Sequence, residues 1–120
     1  MSGIVFYATE NYDSVVRFYT ETIGATVWLE QPDCTILQYE NLLFGFCDRE
    51  QTDSCSILTF VYDSKAAVDE MHSIVGDAAI ETPHLNETYN IYQFFATDPD
   101  DRTVEFQVFV SDSVDSSVSD

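Results

Sequence analysis

Residues 57–76 read ILTFVYDSKAAVDEMHSIVG, and the reading of this stretch decides the fold. Its first six residues, Ile57–Tyr62, are apolar and rich in β-branched and aromatic side chains, which suits a strand. Asp63 or Ser64 then offers a side-chain oxygen to cap a helix. Ala67, Val68, Met71 and Val75 fall at the spacing of one helical face. Gly76 stands where a helix closes on a glycine. The same order occurs near the start of the chain. Residues 4–8 read as a strand, Asn11 as a helix cap, and Tyr12, Val15, Val16, Tyr19 and Ile23 as a helical stripe ending at Gly24. Ile57 follows Ile4 by 53 residues and Gly76 follows Gly24 by 52.

Working outward, the first helix is followed by strand-like segments at 25–29, Cys34–Tyr39 and 42–47. Pro32-Asp33 turns the chain between the first two, and Glu40-Asn41 joins the last two tightly. The second helix is followed by a short strand near 78–81 and by strands near 90–96 and Thr103–Phe109, with a hairpin turn at Asp98-Pro99-Asp100-Asp101. Each half thus reads β-α-β-β-β. The expected class is α+β: two βαβββ modules, about 3–50 and 55–110, in one domain over 1–110. Together they are expected to form a curved eight-stranded mixed sheet with the helices outside. The concave face would then hold a mostly apolar cavity with a few polar groups, the default place for a ligand. Residues 111–120 are all Ser, Asp or Val and are expected to be a disordered acidic tail.

A chain of 120 residues fits one domain. Its 45% apolar and 14% aromatic content excludes wholesale disorder. The charge is lopsided, with 22 acidic residues against 4 basic ones and a formal net charge of -18. Lys65 is the only lysine. A phosphate backbone or an anionic membrane surface calls for clustered Lys and Arg, so neither nucleic acid nor membrane is expected as a partner. The acids are spread along the chain rather than gathered in a patch, which points to adaptation to a high-salt cytoplasm. The chain has no apolar run long enough to span a bilayer and no basic-then-apolar leader, so a cytoplasmic location is expected. Cys34, Cys47 and Cys55 are odd in number and lack CxxC spacing, so reduced thiols are expected rather than a disulfide framework.

Two motifs carry a family resemblance. Phe18-Tyr19-Thr20-Glu21-Thr22-Ile23-Gly24 resembles the FYxxxLG signature that ends the first helix in the vicinal oxygen chelate superfamily. Asp98-Pro99-Asp100-Asp101-Arg102-Thr103-Val104-Glu105 resembles its DPDGxxxE segment. That superfamily, with glyoxalase I, extradiol dioxygenases, and fosfomycin- and bleomycin-resistance proteins, is built from paired βαβββ modules, and the resemblance covers about residues 3–110. Its enzymes hold a divalent metal with one ligand from each of four strands. Carried over by position, those ligands fall on Ile4, on Phe44 or Gly45, on Ile57, and on Glu105. Only Glu105 can ligate, whereas a catalytic site usually supplies about three protein ligands. No metal site and no cofactor are therefore expected, a divalent metal being the alternative. His72 reads as a helix-surface residue and His84 as a loop residue.

If Ile4 and Ile57 face the cavity, strand alternation adds Phe6, Phe44, Phe46, Thr59, Glu105 and Gln107 to its lining, with Tyr92, Trp28 and Gln38 as further candidates. Val5, Tyr7, Leu58, Phe60, Val104 and Phe106 would pack under the helices. Glu105 is the candidate catalytic group: a carboxylate among Phe and Ile could act as general base, hydrogen-bond donor or anchor for a cation. An aromatic wall suits cations as well. The expected function is metal-free binding of a small organic molecule by a homodimer, as the resemblance to bleomycin-resistance proteins implies. The alternative is a metal-dependent lyase, isomerase or extradiol dioxygenase with an atypical site. At molar salt the Debye length is about 3 Å and self-repulsion is screened. The melting temperature should therefore climb by several degrees between 0.1 and 2 M KCl, and a flat profile would remove the salt reading.

Overall fold

The computed structural model describes residues 3–110; the acidic tail expected at 111–120 lies outside the described residues. The chain divides into two compact units. One runs to Ser56 and takes in Asp98–Arg102; the other comprises Ile57–Thr97 and continues from Thr103.

In the first unit, β1 (Ile4–Thr9) leads into α1 (Tyr12–Arg17), which widens into a π-helical turn over Phe18–Ile23. Gly24 ends the turn at φ 99°, a left-handed conformation that favours glycine. β2 (Thr26–Glu30), β3 (Cys34–Tyr39) and β4 (Leu42–Asp48) follow, and the sheet order is β1-β4-β3-β2. β1 runs parallel to β4 and the other pairs are antiparallel. The second unit repeats this plan with β5 (Ile57–Tyr62), α2 (Lys65–Val75), β6 (His84–Asn86), β7 (Ile91–Thr97) and β8 (Thr103–Phe109), in the order β5-β8-β7-β6. The α+β class and the βαβββ repeat are as expected, with the eight strands grouped as two mixed sheets of four.

Three local expectations are corrected. Asn11 precedes α1 but its side chain makes no cap; its amide donates instead to Asp100 Oδ1 at 2.9 Å. Ser64 does cap α2, its Oγ accepting from the Ala67 N–H at 3.1 Å. The strand expected near 78–81 shrinks to a single bridge, Ala79 to Ala96. The Glu81 carboxylate takes up the Phe95 N–H at 2.9 Å, a bond that backbone pairing would otherwise make. The sixth strand forms only after Pro83, which has no N–H to give to a ladder. Finally, Cys34 and Cys47 are joined in a disulfide and Cys55 alone is free and exposed. The two-residue turn at Glu40-Asn41 pairs Tyr39 with Leu42, so the register brings Cys34 directly opposite Cys47. Proximity set by the turn, rather than the number of cysteines, decides the pairing.

The core of the first unit is built on Val15, Tyr19, Leu37, Phe44 and Phe46, all fully buried. A charge centre sits within it. Arg102 is 0% exposed, and its Nη1 donates to Asp98 Oδ2 at 2.6 Å. Its Nη2 reaches Asp100 Oδ2 at 3.3 Å, and its Nε donates to the Asp53 carbonyl at 3.1 Å. The guanidinium lies 4.6 Å from the centre of the Tyr7 ring and 5.2 Å from that of Phe46. Asp98 also accepts the Tyr19 hydroxyl at 2.6 Å and the backbone N–H groups of Asp100 and Arg102. Burial and the neighbouring Asp98 push the Tyr19 phenol far above its ordinary pKa, so it stays a neutral donor. Burial alone would lower the Arg102 pKa, but the charge and hydrogen bond of Asp98 leave it raised. Breaking such a pair strands a buried cation, which costs about 3–5 kcal/mol. Asp98→Ala should therefore cost about that much in urea denaturation. Asp33→Ala, which breaks only the exposed pair with Arg49, should cost under about 1 kcal/mol.

Candidate functional site

Alternation and register assign each strand two faces. In the second unit, Leu58, Phe60, Phe94, Val104 and Phe106 are buried on the α2 side, where Phe94 meets the edge of the His72 ring at 5.0 Å. The opposite, open face carries Thr59 on β5, Glu105 and Gln107 on β8, and Gln93 and Phe95 on β7. The pairings place Thr59 and Phe95 on either side of Glu105, and Gln93 across from Gln107. A cavity of about 360 Å³ opens on this face. Its polar floor is Asn86, Gln93, Glu105 and Gln107, and its apolar walls are Tyr89, Ile91, Phe95 and Phe109. This volume lies within the range of small-molecule pockets, about 300–1,000 Å³.

The floor is ordered by a directional chain of hydrogen bonds. The Thr88 backbone N–H can only donate, and it meets Asn86 Oδ1 at 3.1 Å. That fixes the Asn86 amide, whose Nδ2 donates to Gln93 Oε1 at 2.8 Å. Gln93 in turn donates its Nε2 to Glu105 Oε2. The Thr59 hydroxyl donates to Glu105 Oε1 at 2.9 Å. Both oxygens of a nearly buried carboxylate, 8% exposed, are thus held by neutral donors. Among the described residues Glu105 is the only charged side chain of the lining, and no Lys or Arg joins it there. A carboxylate offers about four acceptor positions, so the two donors leave it able to accept more.

The expected site residues divide. Glu105, Gln107 and Thr59 share this face of the second unit. Phe44 and Phe46 do not line an open face; this expectation is corrected. Their rings pack on Tyr19 of the π-helical turn at 5.3 and 5.2 Å, and both are fully buried. Between the two phenylalanines the open side of β4 carries Gly45, opposite Phe6, with Leu43 and Cys47 on the same face. A side chain at Gly45 would meet the Phe6 ring at 2.8 Å, so the glycine makes room for that ring, and Phe6 is itself 49% exposed. Tyr92 is also corrected: it turns toward α2, donating to Asp69 Oδ1 at 2.6 Å, with Lys65 5.5 Å from its ring centre. Trp28 sits at an irregularity of β2 and is exposed, and Gln38 donates to the Glu40 carbonyl. Val5, expected under a helix, is exposed. His84 lies on β6 rather than in a loop, exposed, with its Nδ1 3.2 Å from the Thr82 carbonyl.

Asn86, Tyr89, Ile91, Gln93, Phe95 and Phe109 were not anticipated. β7 reads Ile91-Tyr92-Gln93-Phe94-Phe95, where both alternating sets mix aromatic and polar residues, so composition cannot choose between them. Counting back from the Asp98–Arg102 loop, which pairs Thr97 with Thr103, would have put Gln93 beside Gln107. Among the described residues, no group of three or more His, Cys, Asp or Glu is placed to hold a metal ion. A lone carboxylate with no second ligating side chain grouped beside it is a poor fit for a divalent metal.

No family model matches the chain, and no curated protein matches it. Solved structures do. A glyoxalase/bleomycin resistance protein/dioxygenase from Alicyclobacillus acidocaldarius is 15% identical with a TM-score of 0.77, over 94% of each chain. A family enzyme of the same description from Burkholderia phytofirmans PsJN is 20% identical with a TM-score of 0.75, over 89% of this chain and 97% of that one. Lactoylglutathione lyase from Agrobacterium tumefaciens is 18% identical with a TM-score of 0.71, over 90% of this chain and 91% of that one. At these identities the likeness shows the fold, which is the one expected from the two motifs. The division between core and cavity is testable. Phe46→Ala should cost about 3–5 kcal/mol in urea denaturation, the value for emptying a packed aromatic site. Phe95→Ala, on the open face, should cost clearly less.

Proposed function

We propose that this chain, with its glyoxalase/bleomycin-resistance-like fold, binds a small organic cation in the cavity of its second module, with Glu105 as the anchor. The observation that carries this reading is the charge of the lining: among the described residues it has one carboxylate, no Lys or Arg, and aromatic walls formed by Tyr89, Phe95 and Phe109. A cation entering there gains an acceptor held in place by Thr59 and Gln93, and ring faces that attract positive charge. An anion would meet Glu105 with nothing to offset it. A resident metal is not part of this reading, because Glu105 is the only matched ligand position.

The same reading takes the protein as a metal-free binding module, without nucleic acid or membrane as partner. Among the described residues no helix is long and apolar enough to cross a membrane. A homodimer is part of the proposal; Ile4, Val5 and Phe6 on β1 leave apolar surface for a second copy to cover. So is a salt-rich cytoplasm, where the Cys34–Cys47 bond would be one of the uncommon intracellular disulfides.

The anchor is tested by calorimetry with phenethylammonium, benzyl alcohol and benzoate as probes. Phenethylammonium should bind best. Glu105→Gln, nearly isosteric, should weaken it at least about tenfold, the loss expected for a hydrogen bond to a charged group. The circular dichroism spectrum should be unchanged. Equal affinity in Glu105→Gln, or a preference for benzoate, would overturn the reading.

A further inference from the structure

We infer that the cavity selects cations whose nitrogen carries hydrogen, through a second acceptor, the side-chain oxygen of Gln107. The inference rests on the reading of Glu105 as a cation anchor and adds the class of cation. Gln107 lines the cavity and is 8% exposed. Its Oε1 is buried and has no hydrogen-bond partner among the described residues. Buried polar atoms are rarely left so. The neighbouring donors are turned elsewhere: an N–H of Asn86 to Gln93, an N–H of Gln93 to Glu105, and the Thr59 hydroxyl to Glu105. A ligand that brings N–H groups supplies the donor Oε1 is missing.

The geometry suits one nitrogen serving both acceptors. Glu105 and Gln107 are alternate residues of β8 on one face, so their Cα atoms lie about 6–7 Å apart. An ammonium between them can donate to each carbonyl-type oxygen. Binding has to turn the Gln107 amide so that Oε1 faces the cavity. The terminal torsion of glutamine is broad, which keeps that rotation inexpensive. A quaternary ammonium has the charge but no proton to give. Aromatic walls alone would not penalise it, since ring faces accept quaternary cations readily. The order of affinity thus separates a hydrogen-bonding floor from a merely aromatic cage.

The experiment is calorimetry with phenethylammonium, its N-methyl form and its N,N,N-trimethyl form. All three carry one positive charge, so the attraction of a chain of net charge -18 is common to them. Affinity should fall from primary to quaternary by about 10- to 100-fold, the range for hydrogen bonds to charged groups. Gln107→Met should shrink that fall by at least about threefold, leaving the part that the Glu105 carboxylate imposes. Gln107→Glu, which keeps an acceptor, should preserve the order. Equal affinities for all three probes in the unaltered protein would overturn the inference while leaving Glu105 as anchor. An undiminished spread in Gln107→Met would assign it to Glu105 and to size and overturn the inference too. If none of the three binds, this inference and the anchor reading both fail. Should Gln107→Met not fold, the same comparison in Gln107→Leu decides.

Discussion

A buried guanidinium sets the conditions for much of this molecule. Arg102 is one of only 4 basic residues in a chain with 22 acids, and it is spent in the interior rather than on the surface. Two aspartates, a backbone carbonyl and two aromatic rings surround it, so its charge is matched and its donors are used. Asp98, its chief partner, also closes its own loop: the Asp98 N–H donates to the Arg102 carbonyl at 3.0 Å, and its side chain takes two further N–H groups. A loop held this way fixes the register at which β7 and β8 leave it. That register places Phe95 across from Glu105 and Gln93 across from Gln107. The floor of the cavity is thus a consequence of how the loop is closed.

The fold was legible because it is written twice. A strand, a helical stripe and a closing glycine recur about 53 residues apart, and each half can cover a sheet with its helix. Strand facing was legible where one alternating set is plainly more apolar than the other. In β8, Val104, Phe106 and Val108 contrast with Glu105 and Gln107, and the expected assignment matches the faces observed. It failed where size misled. Phe44 and Phe46 flank a glycine, and large rings look like a cavity wall, yet Tyr19 needs both of them as packing partners. The open side of β4 between them belongs to Gly45, which has no side chain.

The missed features share a cause: they depend on pairs rather than on single residues. A cysteine count cannot reveal that Cys34 and Cys47 meet, but the two-residue turn between their strands does. A lone glutamine in β7 carries no signal until its cross-strand neighbour is known. The directional chain from the Thr88 N–H to Glu105 crosses a strand end and two strands, and no local pattern encodes it. Short-range periodicity predicts which residues are inside; hairpin arithmetic predicts which of them touch.

Laying one module over the other by strand pairing gives the disulfide a different meaning. Thr59 opposite Glu105 corresponds to Phe6 opposite Gly45, and Gln93 opposite Gln107 corresponds to Cys34 opposite Cys47. The first module therefore holds a covalent bolt and an aromatic plug where the second holds two amides and an acid. The halves have become unequal while keeping one topology. One is sealed and cross-linked, free to serve as scaffold, and the other keeps its acceptors open, at the cost of an unsatisfied oxygen.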